Sequence, residues 1–246
     1  LFLRRRREAN IQIEEVYRRF QSGSMPPQYP RVATQLPIFN EANVAERIIR
    51  ATATMEYPAG RHIIQVLDDS TDETRMIVDN VVDELRRTGH NITVVRREQR
   101  VGYKAGALNQ GMKETDAEFF AIFDADFVPT QDFLLRTIPV MMIRPEVGLV
   151  QARWGHLNAG RSLVTRAQGM GIDGHFAIEQ HARAWNNLFM NFNGTAGLWR
   201  RKAIDDAGGW EHDTLTEDMD LSYRAQLAGW DPFFLPDLVV PAELPE

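Results

Sequence analysis

Hydrophobic and polar positions follow two rhythms along most of this chain. Apolar runs of strand length occupy residues 31–36, 62–67, 91–96 and 118–123. Between them, over 41–55, 72–87 and 104–114, apolar side chains recur every three to four positions. The runs predict buried strands and the longer period predicts amphipathic helices, the first capped by Asn40. Strand, helix, strand repeated in this way predicts right-handed crossovers and a mostly parallel sheet, an α/β fold. The second half is less regular. It predicts a helix over 131–142, a strand over 147–152 and a helix over 216–228 stopped by Gly229. A long helical pattern over 161–184 is loosened by Gly169, Gly171 and Gly174, and 191–200 reads as a loop with a short strand. A polar helix near 8–20 and a Pro-, Ser- and Gly-rich linker over 23–30 precede the first strand, and no closing element is predicted near residue 241.

Length and composition narrow this picture only in places. With 246 residues the chain can bury a large core, as one α/β domain or two small ones. A net charge of −6 argues against a nucleic-acid partner, which would call for a basic excess. The absence of cysteine excludes disulfides, zinc thiolate sites and a thiol nucleophile. No apolar stretch reaches the ~20 residues that span a bilayer. The first seven residues, three apolar and then Arg4 to Arg7, have the pattern of a transmembrane helix leaving a membrane on its cytoplasmic side. They fit a trimmed amphipathic surface helix equally well.

The most informative segment is Phe119-Phe120-Ala121-Ile122-Phe123-Asp124-Ala125-Asp126, a buried-strand run that ends in two carboxylates. On an extended backbone these acids leave one face about 7 Å apart at Cα, close enough to share a cation. Strand ends are where open α/β sheets bind ligands. Hard oxygen donors suit Mg²⁺ or Mn²⁺ carrying a diphosphate, so the segment points to a nucleotide held through a metal on Asp124 and Asp126. Asp68 and Asp69 close the second strand. Ser70 and Glu73 fit a capping box for the next helix, which leaves two adjacent acids that repel each other unless something positive meets them. In Gly102-Tyr103-Lys104-Ala105-Gly106 the glycines admit close backbone approach, and Lys104 at a helix start can meet phosphate. Thr214 and Glu217 fit another capping box, and Asp218 beside them suits a general base held ionised by the helix start. His175 and His181 flank Glu179, but the spacing fits surface histidines better than a metal site. Each of the five tryptophans is read as core before it is read as a sugar platform.

Taken together, these runs resemble the inverting family 2 glycosyltransferases, and within them the processive, membrane-bound, cellulose synthase-like branch. Besides the segments above, the carriers are Leu36-Pro37-Ile38-Phe39-Asn40-Glu41, Gln151-Ala152-Arg153-Trp154, Phe192-Asn193-Gly194-Thr195-Ala196-Gly197, Thr216-Glu217-Asp218 and Ala242-Glu243-Leu244-Pro245. Several look closest to the groups making mannan, glucomannan or the xyloglucan backbone. The resemblance implies a GT-A type, Rossmann-like sheet in a single catalytic domain over residues 31–246. Its nucleotide-binding half would be 31–130 and its acceptor half 131–246, preceded by a juxtamembrane helix and linker over 1–30. It also implies hexose transfer from GDP-mannose or UDP-glucose to a growing β-1,4-linked polysaccharide. Pro37, Glu41, Asp68 and Asp69 would line the nucleoside pocket, with Lys104 near the diphosphate and Asp124 and Asp126 on the metal. Asp218 would be the base, and Asn193, Gly194, Thr195 and Glu217 would border the acceptor. The whole protein would be membrane-embedded, with this domain on the cytoplasmic face of a bacterial inner membrane or a Golgi-type membrane.

Two departures qualify the resemblance. The branch continues to a QxxRW motif that this chain does not reach, and Gln151-Ala152-Arg153-Trp154 has different spacing. Phe127 also stands where cellulose synthases carry His after the paired acids. Rival readings are a lipid-linked sugar transferase of the same family and a non-catalytic nucleotide-sugar-binding domain on the same fold. From another class, a haloacid-dehalogenase-like phosphatase would use Asp124 as nucleophile.

Overall fold

In the computed structural model, residues 2–21, 29–214 and 216–245 are described, with side chains of the first helix described for residues 10–20. Most of the expected 23–30 linker, the side chains of residues 1–7, and Leu215 lie outside the described residues. The strands are β1 (Val32–Ile38), β2 (His62–Asp68), β3 (Ile92–Val95), β4 (Phe119–Ile122), β5 (Val147–His156), β6 (Gly197–Arg200) and β7 (Asp231–Ala242). The helices are α1 (Phe2–Gln21), α2 (Ala42–Ala53), α3 (Thr74–Arg87), α4 (Tyr103–Lys113), α5 (Phe133–Ile143), α6 (Leu163–Gly174), α7 (His181–Trp185), α8 (Arg201–Asp206) and α9 (Glu217–Leu227). A π-helical turn, His175–Gln180, joins α6 to α7.

One seven-stranded sheet organises the domain, in the order β3-β2-β1-β4-β6-β5-β7. Every neighbouring pair is parallel except those made by β6, which runs against both β4 and β5. The mostly parallel sheet read from the sequence is therefore present, with one strand reversed. Alternation along β4 divides its side chains between two cores. Phe119 and Ala121 face α2, α3 and α5, whereas Phe120 and Ile122 face α4, α8 and α9. A strand covered on both faces reads as an unbroken apolar run, which is why this segment stood out. On the first face Val16 of α1 joins the core, and the Tyr17 hydroxyl donates to the Arg136 carbonyl at 3.0 Å.

Three features differ from expectation. β7 was not predicted, because Pro232, Pro236 and Pro241 interrupt its pattern. Proline is tolerated on an edge strand, where an N–H is not needed by a neighbour. β7 is such an edge, and its register against β5 shifts between Ala152 and Arg153, around Pro236. The 161–184 pattern is helical but passes through the π-turn, and its start is fixed by a Ser162–Thr165 capping box. The expected capping boxes at Ser70/Glu73 and Thr214/Glu217 and the Asn40 cap are absent. α3 begins at Thr74, whose N–H meets Asp72 Oδ1 at 3.0 Å, and α9 follows Thr216 without a side-chain cap. Asn40, at φ 56°, bridges loops instead, its Oδ1 accepting from the Thr71 N–H at 2.8 Å.

Buried amides fasten the loops to this frame. Gln151, fully buried in β5, accepts from the Asn193 N–H at 3.1 Å and donates to the Thr195 and Ala196 carbonyls at 3.1 and 3.2 Å. It thereby pins the segment leading into β6. Gln151→Leu keeps the volume but strands the Asn193 N–H and the Thr195 carbonyl, whereas the Ala196 carbonyl keeps its bond from the Ala152 N–H at 2.9 Å. We expect a loss of about 1–3 kcal/mol of unfolding free energy in urea titrations.

Candidate active site

The carboxyl ends of β1, β2 and β4 form one rim of the sheet, and the expected acids gather there. β4 ends at Ile122, so Asp124 and Asp126 sit beyond it, on a turn closed by the Phe127 N–H on the Asp124 carbonyl at 3.1 Å. The extended geometry expected for this pair is thus replaced by a turn. Phe127 is buried edge-on against Trp154, with ring centroids 5.1 Å apart. The chain's later segment clamps the turn: the Glu243 N–H donates to the Asp126 carbonyl at 3.1 Å, and the Glu243 carboxylate pairs with Arg47 at 2.7 Å.

Lys104 joins three segments. From the first turn of α4 its ammonium pairs with Asp124 and donates to the Gly194 carbonyl at 3.0 Å. Burial pulls the Lys104 pKa down, but Asp124, Glu217 and Asp218 outweigh it and leave the ammonium more firmly protonated than usual. Asp218 lies across Gly194. A Cβ on that glycine (φ +81°) would stand 2.9 Å from Asp218 Oδ2 and 3.4 Å from Lys104 Nζ. Gly194 is therefore where two functional groups meet the backbone. Asp218 Oδ1 accepts from the Met219 N–H at 2.8 Å, yet burial dominates and lifts its carboxyl above the ordinary value. Glu217, beside it in the first turn of α9, is half-buried.

A cavity of about 210 Å³ opens at this rim, lined among others by Pro37, Glu41, Asp69, Arg100, Lys104 and Asp124. A larger cavity of about 510 Å³, lined by parts of α1, α7 and β7, shares none of these residues. Asp68 does not line the smaller cavity. It is buried, accepting from Arg96 Nε at 2.8 Å and from the Ser70 N–H at 3.0 Å. Asp69 accepts from Arg97 Nε at 3.1 Å. The adjacent acids thus meet adjacent arginines, Arg96 and Arg97, placed just after β3. That pairing supplies the positive charge the sequence demanded, and the consecutive arginines were its overlooked signal. Arg100 lies 3.4 Å over the Phe39 ring. Thr195, expected at the acceptor, is fully buried, and its hydroxyl accepts from the Asp124 N–H at 2.8 Å. It holds the paired-acid turn from behind and does not face an open channel.

The carboxylates crowd one another. Burial first, then Asp126 and Asp124, lift Glu41 above its usual range, and burial followed by Asp124 does the same for Asp126. Partly buried oxygens with excess negative charge are a donor set that suits a hard divalent cation. No three His, Asp or Glu side chains among the described residues form a ready-made cage. Two carboxylates with remaining positions left to water and phosphate is the usual manner of holding Mg²⁺ beside a nucleotide.

The sequence pattern described as glycosyltransferase like family 2 matches residues 30–246. The chain belongs to that family. It is 46% identical over 221 residues to glucomannan 4-beta-mannosyltransferase 7 of Arabidopsis thaliana, covering 88% of this chain and 40% of the relative. It is 43% identical over 247 residues to glucomannan 4-beta-mannosyltransferase 1 of Cyamopsis tetragonoloba, covering 99% and 46%. The chain thus spans less than half the length of these curated relatives. Among solved structures, the mannosyltransferase PcManGT from Pyrobaculum calidifontis, in complex with GDP-Man and Mn²⁺, superposes with a TM-score of 0.69 at 22% identity. That match covers 97% of this chain and 65% of the other. TarS 1–349 of S. aureus, in complex with UDP-GlcNAc, gives 0.64 at 17% identity, covering 88% and 59%. These neighbours place the sheet in the GT-A class, as a single glycosyltransferase domain. The phosphatase alternative falls with the family assignment.

Two substitutions test the geometry. A Cβ at Gly106 would lie 2.1 Å from the Val101 carbonyl oxygen and 2.4 Å from Arg97 Nη1. Gly106→Ala should therefore cost about 1–3 kcal/mol despite alanine's better helix propensity, read by chemical denaturation. Asp126 has a raised folded pKa, so its charge costs stability above the ordinary carboxylate range and costs nothing below it. Asp126→Asn should raise Tm by about 1–3 °C at pH 7. Calorimetric scans at falling pH should show that gain fade as the wild-type carboxyl protonates.

Proposed function

We propose that this domain transfers a hexose, with inversion, from a nucleotide sugar to the end of a β-1,4-linked polysaccharide, Asp218 acting as general base. The observation that carries the reading is the approach of Asp218, Lys104 and the Asp124–Asp126 turn around Gly194. A buried carboxyl with a raised pKa is a better proton acceptor than an exposed one, while the first turn of a helix keeps the anion accessible. In the reaction an acceptor hydroxyl oxygen, taken as the 4-OH, attacks the anomeric carbon as its proton passes to Asp218. The bond from that carbon to the diphosphate breaks on the opposite face, and the nucleoside diphosphate departs with the electron pair. Lys104 stabilises charge growing on that leaving group. Asp124 and Asp126 would hold Mg²⁺ or Mn²⁺, which when bound neutralises diphosphate charge. Pro37, Glu41 and Asp69 border the nucleoside, where the Asp69 carboxylate suits a base ring N–H, and Asn193, Gly194 and Glu217 flank the acceptor.

GDP-mannose is favoured over UDP-glucose as donor, because the relatives named above are glucomannan mannosyltransferases and PcManGT was solved with GDP-Man. The membrane setting belongs to this proposal for the whole protein. No helix among the described residues is long and apolar enough to cross a membrane.

Asp218→Asn in the full-length protein should leave nucleotide-sugar affinity near wild type and lower turnover by at least ~10²-fold. Wild-type turnover in that variant would remove Asp218 from the role. Asp126→Ala should abolish the Mn²⁺-dependent part of donor binding, read by calorimetry with and without the metal. A thermal-shift panel of GDP-mannose and UDP-glucose with Mn²⁺ should show the larger shift for GDP-mannose; a larger shift with UDP-glucose overturns the donor assignment.

A further inference from the structure

The π-turn His175–Gln180 plays no part in the chemistry above, yet it grips the segment that carries Gly194 at two points. Gln180, fully buried, donates to the Asn191 carbonyl at 3.0 Å. The His175 ring stands between Glu179 Oε2, 2.8 Å from Nδ1, and Asn193 Oδ1, 3.0 Å from Nε2. Glu179 is itself held by Arg183, whose Nε donates to Oε1 at 3.0 Å. Below the turn Phe176 is buried against Trp154, with ring centroids 5.2 Å apart, and Trp154 packs on Phe127 beside the paired acids. A single π-turn shifts the face presented by the residues after it, and such turns recur at functional sites.

The hydrogen-bond relay from Glu179 through His175 ends on a group with a vacant position. Asn193 Nδ2 is buried and has no hydrogen-bond partner among the described residues. Turning the amide over changes which of its two atoms is left unpaired, not whether one is. A buried amide left half-satisfied carries a cost that a further partner would remove. A sugar hydroxyl, which both donates and accepts, is suited to complete it in either orientation.

We propose that His175 is a positioning residue for the acceptor. Anchored by Glu179 in the π-turn, it sets the Asn193 amide and the Asn193–Gly194 peptide that abuts Asp218 and Lys104. The proposal rests on the reading of Asp218 as the base. It predicts a separation between the two substrates, since His175 touches the acceptor side alone.

The test uses two readouts. In the full-length protein, His175→Ala should raise the acceptor KM by up to about tenfold, the scale of one lost hydrogen bond, with nucleotide-sugar affinity within about twofold of wild type. His175→Gln, which keeps a hydrogen-bonding group, should recover part of the loss. An unchanged acceptor KM, or an equal fall in donor affinity, overturns the proposal. In the present chain, His175→Ala should move the NMR signals of the Asn193 side-chain amide and the Gly194 N–H, and signals that stay in place overturn it independently of turnover. If the wild-type protein transfers no sugar from any nucleotide donor, the base assignment fails while the NMR result still decides whether His175 positions the loop.

Discussion

The ammonium of Lys104 is the interaction on which the rest of the rim depends. It touches both the paired-acid turn and the loop before β6, and it answers electrostatically to α9 as well. Three pieces of backbone remote in sequence are thereby held at one point. The frame behind it is rigid because Gln151 and Thr195 secure the same loops from the buried side. Positive charge at the centre also decides how the acids behave, since Asp124 is matched by it while Glu41, Asp126 and Asp218 stay partly unmatched.

Arginines solve the same problem differently at the end of β2. Asp68 and Asp69 are each matched by a neighbouring arginine, so that end carries balanced pairs where the rim carries an excess. Paired charges hold the loops after β2 and β3 in register with the cavity. Unpaired ones cost stability and leave oxygen donors that suit a hard cation. The contrast separates acids whose charge is matched within the protein from acids whose charge is not.

Much of this was legible in the sequence, and the exceptions have physical causes. The β4 run and its acids were visible because burial on both faces writes an unbroken apolar word ending in charge. Asp218 and Lys104 were legible as helix-start charges. β7 was hidden because proline denotes a break in the interior of a sheet but is harmless at its edge. Asp68 and Thr195 were misplaced because side-chain direction at a strand end depends on the turn that follows, and one residue of rotation exchanges cavity for core. His175 was read as a surface histidine in preference to a metal ligand, because its partner Asn193 is distant along the chain.

The reversal of β6 has a topological consequence. In an all-parallel sheet only the connections that leave strands reach the ligand-bearing edge, and those that arrive at strands collect at the opposite one. Turning a single strand around admits an arriving connection, residues 193–196, to the working edge. The loop carrying Gly194 is therefore a peptide whose length is not tied to any helical crossover. It meets Lys104 and Asp124 from a side that no helical crossover of the parallel strands reaches.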